Sequence, residues 1–211
     1  MKKIIVLSIL FVFPLVAYLF FASGVNNFAK LPVLTQGINN VDELSSLSGE
    51  KISLDNKITI LGFFGKDVAN KKGNAFNLNQ KIYKRFYEFH DFQFVIVQPK
   101  GTEPEIQELK NELQPFTDTK NWKFVFAEAS KIQSIFNSLQ SNLTLEEDLS
   151  IPYVFIIDKD RNLRGRKGDE TVYGFDATSV AEINNKMEDD VKVILAEYRM
   201  ALKKNNVYKE K

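Results

Sequence analysis

Ile151-Pro152-Tyr153-Val154-Phe155-Ile156-Ile157-Asp158-Lys159-Asp160-Arg161-Asn162-Leu163-Arg164-Gly165 is the stretch on which the fold turns. Tyr153 to Ile157 is an unbroken run of aromatic and branched residues, the strongest strand signal in the chain. Asp158 to Asn162 is a turn cluster, and Leu163-Arg164-Gly165 reads as the returning arm of a hairpin. Upstream, Ile58-Thr59-Ile60-Leu61-Gly62-Phe63-Phe64 is nearly continuously apolar, as a strand covered on both faces must be. Ile52 and Leu54 give an earlier strand signal, Phe92 to Val97 a further strand closed by Pro99-Lys100-Gly101, and Trp122 to Phe126 a short one.

Helical spacing fills the gaps between these strands. Asn77 to Phe89 places Leu78, Ile82, Phe86 and Phe89 on one face, with Lys81, Lys84 and Arg85 outward. Glu103 to Leu113 has Pro104 in its first turn, where a missing N–H is harmless. Ser130 to Leu139 is a helix that Ser130 can cap. Ser179 to about Lys203 is a long helix with Ile183, Met187, Val191, Ile194, Leu195 and Tyr198 on one stripe. The order β-β-α-β-α-β-α-β-β-α predicts an α/β protein, a three-layer sandwich with helices on both faces of a mixed central sheet.

Composition removes several kinds of chemistry. The 211 residues include no cysteine, one histidine and three methionines. Disulfides, thiolate metal sites and thiol catalysis are therefore impossible within this chain, and a histidine- or thioether-rich metal site is hard to assemble. A formal net charge of +1 gives no electrostatic case for nucleic acid. No Gly-rich phosphate loop, GxSxG or HExxH is present.

The amino terminus indicates location. Met1-Lys2-Lys3 precedes an uncharged run from Ile4 to Phe21, which reaches spanning length and predicts a transmembrane signal-anchor. Ala22-Ser23-Gly24 offers small residues of the kind a signal peptidase accepts, so cleavage and export are the alternative. Either way the later residues are expected outside the cytoplasm, as a periplasmic domain of a single-pass membrane protein or an exported one. The expected organisation is an anchor over 1–24, a linker over 25–41, the α/β domain over 42–204 and a polar tail over 205–211.

The element order, with Ile151-Pro152 directly before the strong strand, resembles a thioredoxin fold, in which a proline at this point is usually cis. An ordinary trans proline opening a strand is the alternative reading of these two residues. Several landmarks more closely resemble the SCO/SenC family of membrane-anchored thioredoxin-like proteins, which handle copper and thiol redox state in cytochrome oxidase assembly. Phe63-Phe64 resembles the aromatic strand end before the family's CxxxC loop, and Asn77-Leu78 its first helix. Trp122-Lys123-Phe124 resembles its Trp-containing strand. Ile156-Ile157-Asp158-Lys159-Asp160 with Leu163-Arg164-Gly165 resembles its hairpin, and Asp176 to Leu195 its closing helix. In an ungapped register the two copper-binding cysteines fall on Asp67 and Lys71, and the metal-binding histidine falls on Ser150. The resemblance thus implies a cysteine-free member with no metal and no cofactor at those positions, because copper(I) selects soft sulfur donors and thiol exchange needs a thiolate.

Asp67 and Lys71 are four apart, so a helical loop predicts an exposed ion pair of about 0.3–0.5 kcal/mol. Phe63, Phe64, Phe76, Ile151 and Pro152 are candidates for a groove that binds a partner, expected to be another protein of the cell envelope. His90, the Asp158/Asp160 pair, the acidic run Glu146-Glu147-Asp148 and the lysines 66, 71 and 72 each admit a chemical role. Solvated junction, turn and loop positions explain them more simply. An enzyme built on Asp67, Lys71 and His90 requires those three side chains to converge.

Overall fold

The computed structural model describes residues 2–23, 30–168 and 171–209. Its strands are β1 (Val33–Thr35), β2 (Ser45–Ser46), β3 (Ile58–Phe63), β4 (Phe92–Pro99), β5 (Trp122–Ala127), β6 (Tyr153–Ile157), β7 (Leu163–Arg164) and β8 (Phe175–Asp176). They form one mixed sheet in the order β1-β7-β6-β3-β4-β5-β2, with β8 paired to β6. β3, β4 and β5 run parallel, while β6 lies antiparallel to β3 with Ile60 opposite Ile156. Every residue of β3 and β4 is buried, because side chains on both faces meet a packed layer.

One layer holds α2 (Val68–Leu78), α3 (Lys84–Phe86), α4 (Glu103–Leu113) and the carboxyl-terminal helices α6 (Val180–Glu182) and α7 (Glu188–Lys209). The other holds α5 (Ala129–Ser138) and the chain from Ile38 to Leu54. π-Turns over Asn79–Tyr83 and Ile183–Met187 join α2 to α3 and α6 to α7. At the first of them Asn79 is fully buried; its carbonyl oxygen accepts from the Trp122 indole N–H at 3.1 Å and its amide donates to Thr117 at 3.0 Å. The widened turn thereby seats a polar side chain inside an apolar layer with its hydrogen bonds made.

Several boundaries differ from the expectations. The helix read as starting at Asn77 begins at Val68, with Asp67 as its cap. α5 is preceded by Glu128, with no side-chain cap, so Ser130 lies inside the helix. Ile52 and Leu54 are buried in an extended segment that joins no strand; the Leu54 N–H instead donates to the Asn40 side chain at 3.0 Å. The expected linker is largely structural. Leu31, Ile38 and Val41 are buried, β1 pairs with β7, and the Ile38 N–H donates to the Arg161 carbonyl at 2.8 Å. At the other end α7 continues to Lys209, through most of the expected tail.

α1 (Lys2–Ser23) is a 22-residue helix with Pro14 inside it and exposed apolar side chains such as Phe11 and Phe13. Among the described residues no helix qualifies as long and apolar enough to cross a membrane. The side chains of Ile4, Ile5, Leu7, Ser8 and residues 20–23 lie outside the description, so the spanning reading of Ile4 to Phe21 rests on sequence. Met1, residues 24–29 of the expected anchor end and linker, and residues 210–211 of the expected tail also lie outside the described residues.

Candidate functional site

At the carboxyl end of β3 the chain turns under tight constraint. Phe64 pairs antiparallel with Ser150, and Gly65 follows at φ +70°. A Cβ on Gly65 would lie 2.6 Å from the Ser150 Cβ and 2.7 Å from the Asp148 carbonyl oxygen, so only glycine fits. The Lys66 N–H then donates to that carbonyl at 2.9 Å. The two loops are thus pressed together, and Leu149 is held in the left-handed region at φ +68°, a conformation that costs a residue with a Cβ about 1–2 kcal/mol.

The structure gathers Asp67, Lys71 and Ser150 into this corner, through two acids that the sequence reading left in solvent. The Asp67 carboxylate accepts the Asn70 N–H at 3.2 Å, as an N-cap does. Committed to the helix end, it forms no ion pair with Lys71. The Lys71 ammonium instead lies 3.7 Å from Glu146, with its side chain only 14% exposed. The fully buried Ser150 hydroxyl donates to the same Glu146 carboxylate at 3.1 Å, and its N–H donates to Asp148 at 2.9 Å. Burial pushes the Asp148 carboxyl up, but the hydrogen bonds from Ser150 and the charge of Lys71 outweigh it and hold the group below the usual range. The Asp148-x-Ser150 spacing was the available signal, since an aspartate commonly accepts the N–H two residues on.

The expected groove does not form from its five residues. Phe63, Phe64 and Ile151 are buried at 0, 2 and 4% exposure, because a strand covered on both faces leaves neither phenyl a surface. Phe76 and Pro152 are half-buried; the Phe76 ring packs edge-on against Phe116 with centroids 5.7 Å apart. No cis peptide occurs among the described residues, so Ile151-Pro152 is trans, and the Pro152 carbonyl accepts the Ala177 N–H at 2.9 Å.

The remaining candidates lie elsewhere. His90 is exposed beside Asp91 where β4 begins, next to Ile58 in register, whereas Asp67 follows Phe63 at the other end of β3. Asp67, Lys71 and His90 therefore do not converge. Burial opposes ionisation of Asp91, but Lys159, His90 and Lys57 hold its carboxyl at about 2. Asp158 organises its turn by accepting the Asp160 and Asn162 N–H groups at 3.0 and 2.8 Å, and it also pairs with buried Arg164 at 2.9 Å. Lys72 is bound by Glu108 and Glu112. Sequence reading missed Gln98, fully buried near the end of β4, whose amide has no hydrogen-bond partner among the described residues.

A parallel β3-β4-β5 core, an antiparallel β6-β7 hairpin and a helix launched from the end of β3 define a thioredoxin-like fold. Neither the family models nor the curated proteins include a match to this sequence. Solved structures do match, at the level of fold. A candidate protein disulfide isomerase from Bacteroides thetaiotaomicron aligns over 82% of this chain and 98% of its own at 12% identity, with a TM-score of 0.53. A candidate electron transfer protein from Aquifex aeolicus VF5 aligns over 78 and 98% at 16% identity, TM-score 0.51. BsSco, a member of the Sco family of cytochrome c oxidase assembly proteins, aligns over 78 and 98% at 10% identity, TM-score 0.51.

Copper does not suit the residues present at the corner. Asp67 and Ser150 offer hard oxygens already engaged in hydrogen bonds, and Lys71 offers a cation. Among the described residues no three His, Cys, Asp or Glu side chains gather to hold a metal ion.

Proposed function

We propose that this chain is a membrane-anchored, extracytoplasmic SCO-like protein whose redox and copper site has become a structural clasp, and that it acts by binding another envelope protein. The observation carrying this reading is the corner itself, where Asp67 caps α2 and Lys71 and Ser150 share Glu146. The corner offers copper(I) only hard carboxylate and hydroxyl oxygens and an ammonium without a free pair, and it has no thiolate for exchange. The anchor reading is supported by Lys2-Lys3 before an uncharged run of spanning length and by the apolar side chains exposed on α1. The partner surface is the exposed edge of the corner, where Lys66, Asp67 and Glu147 present one basic and two acidic groups.

Capture from membranes tests it, with the full chain as bait. Reversing those charges in Lys66→Glu/Asp67→Lys/Glu147→Lys should reduce recovery of a stoichiometric partner by about tenfold or more. Deleting Ile4 to Phe21 should leave binding of the solubilised partner intact. Loss of the partner with the anchor deletion, and not with the charge reversal, would overturn the reading in favour of a structural subunit held through its helix.

A further inference from the structure

Leu31 is buried beside α7, and Arg164 joins the two. Its Nε donates to the Leu31 carbonyl at 2.7 Å and its guanidinium to Glu197 at 2.7 Å. Next to Glu197, Tyr198 and Leu195 line a hollow of about 260 Å³ together with Ile58, Phe89 and Lys159. A second hollow of about 200 Å³ continues it past Ala196 and Lys192, and Phe89, Leu195 and Arg199 belong to both. The floor is apolar, and Phe89 is 42% exposed. Lys159, Lys192 and Arg199 stand around it. The one carboxylate lining it, Asp91, is paired with Lys159 and Lys57. On α7 itself Lys192 pairs with Glu188 at 2.7 Å and with Asp189 at 3.2 Å, and Glu188 also pairs with Arg85, so Arg199 is the cation of the rim with no ion pair among the described residues.

Chain length says what covers this face. α1 ends at Ser23, and residues 24–30 separate it from Leu31. Seven residues reach at most about 25 Å, whereas a unit of this size is about 40 Å across. So short a tether holds the Leu31 side of the domain nearest to whatever α1 is inserted in, and keeps the α5 side away. We propose that the groove along α7 rests on an anionic bilayer surface, with Phe89 at the headgroup boundary, Arg199 and Lys192 at the lipid phosphates and Lys159 held behind them by Asp91. This rests on the membrane-anchor reading above. It also turns the domain. Ile58 lines the groove and Asp67 follows the far end of β3, so the corner faces away from the lipid, open to a partner.

The absence of cysteine makes the test clean, because an introduced thiol is unique. Ala196→Cys places a fluorophore in the groove, and Ser130→Cys places one on α5 across the sheet. The full chain is reconstituted in phosphatidylcholine vesicles with about 30% phosphatidylserine and a lipid-borne quencher, after circular dichroism has confirmed folding of each variant. The probe at 196 should be quenched at least about twofold more than that at 130, with the difference shrinking in high salt and on Arg199→Glu. Failure of the protein to float with vesicles would overturn the anchor and this proposal together. Flotation with equal quenching at the two positions would overturn this proposal alone, whether the groove is bare or covered by protein.

Discussion

Replacing Arg164 by methionine should destabilise the domain more than any other single surface-neutral change at the hairpin. The Arg164 side chain is 5% exposed and that of its partner Asp158 2%. Burial works against the Arg164 charge, but hydrogen bonds and attraction from Asp158 and Glu197 more than offset it. Arg164→Met leaves the Asp158 carboxylate buried with its turn N–H donors but without its counter-charge, and the Leu31 carbonyl without the Arg164 donor. Breaking a buried pair from one side costs about 3–5 kcal/mol. A folded unit of roughly 180 residues unfolds with an entropy near 0.4 kcal/mol/K, so the melting temperature should fall by about 8–13 °C. The double variant Arg164→Met/Asp158→Asn removes both charges, keeps an amide oxygen for the Asp160 and Asn162 N–H groups, and should recover part of that loss, since no buried charge is then left unpaired between them. Urea titration of the two variants against the parent, followed by circular dichroism, reads both values. A single-variant cost below about 1 kcal/mol, or a double variant no more stable than the single, would refute the reasoning.

Three further changes probe the corner, the helix launched from it and the sheet. Gly65→Ala combines a positive φ with a Cβ driven against Ser150 and should cost about 2–4 kcal/mol. Gly73→Ala, inside α2 with open space around it, should gain about 0.5–1 kcal/mol in the same denaturation assay. Gln98→Leu removes a buried amide that has no partner among the described residues and should raise stability by about 1–2 kcal/mol, or roughly 3–5 °C by calorimetry; a loss would mean that the amide is satisfied after all.

The legible parts of this fold are those whose signal is local. β6 occupies the Tyr153–Ile157 run because its apolar residues have few other options, and α4 occupies Glu103–Leu113, bracketed by Pro104 and its apolar stripe. β1, β2 and β8 are two or three residues long, too short for alternation to register, and each exists through a partner distant in sequence. The corner was half legible. The family resemblance, aligned at Phe63-Phe64 and at the hairpin aspartate Asp158, put Asp67, Lys71 and Ser150 in one neighbourhood, but spacing alone could not say that Lys71 would choose Glu146 over Asp67. That choice depends on a contact between loops far apart in sequence, brought together where β3 and β6 lie side by side. The groove illustrates a different failure. A strand with apolar residues at every position buries both faces, so Phe63 and Phe64 were core by the same evidence that made β3 a strand.

Copper(I) titration of the purified full chain, in competition with a chromophoric chelator, tests the central claim most directly. A clasp of Asp67, Lys71, Glu146 and Ser150 with no thiolate predicts that the chelator keeps its metal throughout the titration. Uptake of one equivalent at sub-micromolar affinity (Kd below about 1 μM, or roughly 8 kcal/mol) would contradict the account.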